Sequence, residues 1–135
     1  MKKIHKPIDG FPSFYKPYLD LVPNDGDLLQ HLQDIIHETE KLVSTLSEGQ
    51  LNYRYNEGKW NIKEIIHHIA DCERVIIYRA MRIGRGDQTD LPGFDESLLV
   101  LNAHAGSREI TDIVNELSAL RNPASPLLKH SMKYL

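Results

Sequence analysis

Apolar residues recur at spacings of three and four in three stretches of the chain, and each stretch predicts an amphipathic helix. The first covers Asp27 to Leu46, with Leu28, Leu29, Leu32, Ile35, Ile36, Leu42, Val43 and Leu46 on one stripe. The second opens at Asn61, where an N-cap side chain is followed three residues later by Glu64, the pattern of a capping box. Its stripe is Ile62, Ile65, Ile66, Ile69, Ile76, Ala80 and Ile83, and Gly84 is expected to end it in a left-handed turn. The third starts at Ser107 and carries Ile110, Ile113, Val114, Leu117 and Leu120, before Pro123 and Pro126 are expected to interrupt it. A short helix from Asp95 to about His104 is expected between the second and third. No alternating pattern predicts a strand, so the fold class is all-α, a helix bundle.

The connecting segments have a different texture. Residues 1–25 hold four prolines and several aromatics. They read as an extended arm anchored by Phe11, Phe14, Tyr15 and Tyr18. The stretch "SEGQLNYRYNEGKW" reads as a structured loop with Tyr53, Tyr55 and Trp60 tucked against the bundle. Trp60 falls just before the cap, where a hydrophobic staple belongs.

Length and composition then narrow the class. A chain of 135 residues, 41% hydrophobic and 26% charged, suits a single globular domain spanning 1–135. The net charge of −3 argues against nucleic acid as a partner. No apolar run approaches the roughly 20 residues of a membrane span, and no signal-like segment opens the chain. A single cysteine, Cys72, points to a reducing, cytoplasmic setting.

Candidate chemistry centres on the second helix. On a wheel of about 100° per residue, His67 points away from the stripe into solvent, and His68 lies on its flank with Glu64 and Cys72 one turn away on either side. From the pattern alone His68 reads as a boundary residue rather than a metal ligand, because a metal site needs three or four converging groups and the spacing shows no second one. The seven histidines are His5, His31, His37, His67, His68, His104 and His130, and no two are four apart. Glu73 falls almost in the middle of the stripe and must be paired or hydrogen-bonded there, or be protonated; Arg74, Arg79, Arg82 or a tyrosine would serve, in a structural rather than a catalytic role. Asp71 lies outside the stripe, as a surface residue. Cys72 reads as a small core residue, reactive only if His68 or an arginine lowers its pKa. The Arg85-Gly86-Asp87 triplet is too short to carry meaning.

Several ordered motifs together resemble the DinB-like (YfiT-like) superfamily of metal-dependent enzymes. They are the tyrosine-rich loop before "GKW", the helix "KWNIKEIIHHIADCER", its "YRAMRIGRGD" end, "LPGFDES" and "IVNELSALR". The resemblance spans about Asp27 to Arg121. It implies a four-helix bundle with long connections and a divalent metal, zinc or nickel, held by three histidines. The first of these, eight residues after the tryptophan, is His68 here. The other two belong to a "GHxxHH"-like motif on a fourth helix, which is not found in this sequence; His130 stands in a different context. The resemblance therefore implies a thiol S-transferase or hydrolase acting on a small molecule, with a low-molecular-weight thiol as co-substrate, in a truncated form with an incomplete metal site. The alternative is a non-catalytic helical module that binds a partner or forms a homodimer through an exposed apolar groove.

Overall fold

A computed structural model describes the backbone of residues 3–131 and the side chains of residues 3–122. Six α-helices occur among the described residues: α1 (Lys16–Asp20), α2 (Leu28–Ser44), α3 (Glu48–Leu51), α4 (Ile62–Gly84), α5 (Glu96–Ala103) and α6 (Ile110–Ser131). There is no strand among the described residues, only an isolated bridge between Ile4 and Asp27. The fold is all-α, as the periodicity predicts. No helix among the described residues is long and apolar enough to cross a membrane.

The contacts divide the chain into two units, one ending at Ile35 and the other beginning at Ile36. In the first unit the segment is not simply extended. A 3-10 turn, Ser13–Tyr15, leads into α1. The Lys6 ammonium ties this turn of chain together by donating to the carbonyls of Leu19 and Val22 at 3.0 and 3.1 Å. Phe14, Tyr15 and Tyr18 do not act as anchors; they are more than half exposed and pack on one another.

In the second unit α4 pairs most extensively with α6, and α5 and α3 also lie against α4. Ile36, Val43, Leu51, Ile66, Ala70, Ala105, Ile110, Ile113, Val114 and Leu117 form the core. Fully burying an aliphatic side chain of this kind stabilises by roughly 1.5–3 kcal/mol. Leu51 belongs to α3, a one-turn helix within the expected loop that carries its own capping box between Ser47 and Gln50. Tyr53 and Tyr55 are exposed rather than tucked in.

Three boundaries differ from expectation. Gly84 remains in α4, and the left-handed residue that turns the chain is Gly86, at φ 79°. The start of α6 shifts to Ile110, because a 3-10 turn, Ala105–Ser107, takes up the preceding residues. Its helical backbone continues through Pro123 and Pro126. Proline costs a helix one amide donor but is compatible with helical φ, so it need not end one. The side chain of His130 lies outside the described residues.

Candidate functional site

The first turn of α4 is held by several interlocking bonds. Asn61 accepts from the Glu64 amide at 2.9 Å, and Glu64 accepts from the Asn61 amide at 2.9 Å, completing the predicted box. Arg54 then grips Glu64 through two bonds of 2.5 Å and donates to the Lys59 carbonyl at 2.6 Å. The Arg54 guanidinium holds the Glu64 carboxyl below its ordinary range, against the opposing effect of burial. The loop carrying Trp60 is thus fastened to the helix that carries both histidines.

The buried stripe of α4 is only partly the expected one: Ile66 is in the core, and Ile62 and Ile69 pack against it. Its buried residues are Lys63, Ile66 and Ala70, while Ile65, Ile76 and Ile83 are exposed. On a wheel of about 100° per residue, the five residues in or against the core centre about 50° from the predicted centre. The isoleucines divide between two faces, and sequence periodicity had merged them into one. Lys63 is the residue that sequence reasoning missed. It is 3% exposed and donates to Glu48 and to the Arg108 carbonyl, both at 2.8 Å. Its place three and seven residues before Ile66 and Ala70 was the available signal.

The rotation changes the standing of both histidines. His67 does not face solvent; its side chain is 12% exposed, and its Nδ1 stands 3.4 Å from Asp71 Oδ2 without making a hydrogen bond. Asp71 is likewise no free surface residue, since it pairs with Arg74 at 2.9 Å. Arg74 continues to Glu116 of α6, which also meets Arg108 at 2.6 Å. Burial pushes Glu116 up, but Arg74 and Arg108 outweigh it and hold the carboxyl below its ordinary value. Glu73 is paired as expected, 3.4 Å from Arg121 Nε.

His68 lies away from the core face, and Trp60 covers it, with ring centroids 4.8 Å apart. Its Nε2 is 3.4 Å from Cys72 Sγ one turn on. Burial pushes the Cys72 thiol up, and the Glu96, Asp71 and Glu73 carboxylates add to the rise. Cys72 is therefore a protonated thiol near neutral pH, not an activated nucleophile. An imidazole and a protonated thiol stand together here. A catalytic metal site needs about three protein ligands. Among the described residues no group of three or more His, Cys, Asp or Glu side chains could hold a metal ion. The described residues therefore do not by themselves fit a closed metal site.

Against this geometry the comparisons with known proteins are specific. The sequence profile of the DinB superfamily matches residues 31–130. The chain belongs to the DinB superfamily. A protein of Oceanobacillus iheyensis named "Putative metal-dependent hydrolase OB0413" is 31% identical over 74 residues, covering 52% of this chain and 42% of that protein. The Bacillus subtilis protein named "Putative metal-dependent hydrolase YfiT" is 28% identical over 58 residues, covering 42% of this chain and 33% of that protein. These matches span less than half the length of either relative. A solved structure described as "YfiT from Bacillus subtilis is a probable metal-dependent hydrolase with an unusual four-helix bundle topology" aligns with a TM-score of 0.73 at 17% identity, over 93% of this chain and 67% of that one. The bundle fold of this chain is that of YfiT.

Proposed function

We propose that this chain serves a metal-dependent reaction on a small molecule, of the hydrolase or thiol S-transferase kind, with His68 as one ligand of a divalent zinc or nickel ion. The observation that carries the reading is the setting of His68. Its ring is covered by Trp60 and abuts Cys72, on a helix turn fastened by Arg54, Asn61 and Glu64. A rigidly held imidazole with little freedom to lose is the form a metal ligand takes. The printed names of the relatives in Oceanobacillus and Bacillus support the metal dependence. In general such a metal acidifies a bound water or thiol. Equilibrium dialysis against zinc and nickel tests the reading. The chain is expected to retain one of these ions, and His68→Ala to weaken retention at least tenfold, since even loss of a group supporting a ligand costs about 10–100-fold. Equal retention by the parent and His68→Ala would overturn it.

A second reading is favoured by a different observation. Ile76 and Ile83 of α4 and Leu98 and Leu101 of α5 are 52% to 73% exposed. Apolar surface of this kind suits burial against a second copy of the chain. Sedimentation equilibrium should then show a dimer that Leu101→Lys converts to monomer. A parent chain that is monomeric at all concentrations would contradict it.

A further inference from the structure

A cavity of about 330 Å³ opens beside Trp60 and is lined by Tyr55, Gly58, Lys59, Trp60, Ile65 and Ser97. Three features give it a chemical character. Its walls are two aromatic rings and an aliphatic side chain. Its one charged lining residue is Lys59, whose ammonium has no ion-pair or hydrogen-bond partner among the described residues. Gly58 adopts φ 70°, and a Cβ added there would meet nothing within 4 Å, so the loop turns at this point and leaves the space clear.

The cavity is also preorganised. Arg54 holds the Lys59 carbonyl at 2.6 Å while gripping Glu64, so the backbone between cavity and helix is fixed before any ligand arrives. Trp60 is shared: it lines the cavity and also covers His68. We propose that this cavity recognises a small organic anion with a flat, apolar body. The body lies among Tyr55, Trp60 and Ile65, and the anionic group meets the Lys59 ammonium. The claim rests on the reading of His68 as the reacting centre only in naming this ligand the substrate; the binding preference stands apart from it.

Trp60 is the sole tryptophan of the sequence, so its indole N–H gives one assignable signal in a nitrogen-15 correlation spectrum. The probes are 2-naphthoate and its neutral counterpart 2-naphthamide. Both are expected to shift the indole signal saturably, with naphthoate binding about fivefold tighter, the scale of a partly exposed ion pair. Lys59→Gln should erase that preference, and Lys59→Arg should keep it. Equal affinity for the two probes, a preference unchanged in Lys59→Gln, or an indole signal unmoved by either probe would overturn the proposal. A naphthoate preference that persists in a chain retaining no zinc or nickel supports this pocket while removing the metal reading.

Discussion

The two faces of α4 contrast more sharply than their residue types suggest. The inner face buries Lys63 with Ile66 and Ala70, while the outer face leaves Ile65, Ile76 and Ile83 exposed. An ammonium is inside and three isoleucines are outside. The difference lies in what each face can satisfy. Lys63 has two acceptors at 2.8 Å from separate parts of the unit, and its aliphatic stem lies in the core. The outer isoleucines have no core to enter. Partners in space, rather than the hydrophobicity of single residues, decide which side of this helix is buried.

That contrast can be broken first at Lys63. Lys63→Ala should destabilise the chain by about 2–4 kcal/mol in urea unfolding, because it leaves a hole and strips the Arg108 carbonyl of a donor. Lys63→Met should cost less, since it keeps the volume and removes the buried charge. Ala70 has no exposed surface, so Ala70→Leu overfills the inner face and should cost about 1–3 kcal/mol by the same measurement.

A smaller effect sharpens the account of the clamped turn. The folded-state pKa of Glu64 is lowered, chiefly by Arg54. Its contribution is therefore complete above the ordinary carboxylate range of about 4–4.5 and is lost as pH falls through the lowered value. Arg54→Met should be less stable than the parent at neutral pH, and the gap should close as melts are repeated toward about pH 2. Least of all should happen at Ile76. Ile76→Ala lies on the outer face, and its unfolding free energy should stay within about 0.5 kcal/mol of the parent.

Much of the helical frame was legible because it is written in local signals. The box of Asn61 and Glu64 set the start of α4 to the residue, since caps act within one turn. The long stretch to Gly84 followed from the three-four spacing. What failed depended on distant partners. The orientation of α4 could not be read because seven apolar residues span two faces, and only α6, α5 and α3 determine which face is covered. His67 was misplaced by the same rotation, and so was Asp71, which Arg74 draws in. Glu73 is paired, as a carboxylate in the apolar stripe requires, but by Arg121 of α6 and not by an arginine of its own helix, which spacing within one helix does not encode. The cover that Trp60 places over His68 was hidden for a further reason. It depends on how the loop from Arg54 to Asn61 folds back, and no periodicity encodes that.

The role of His68 is the claim on which the functional account turns, and nitrogen-15 imidazole spectra read it at the atom concerned. During a zinc titration, one ring nitrogen of His68 should move strongly, while the His67 signals stay near their starting positions. A His68 ring unmoved at saturating zinc, or moved no more than that of His67, would contradict the account.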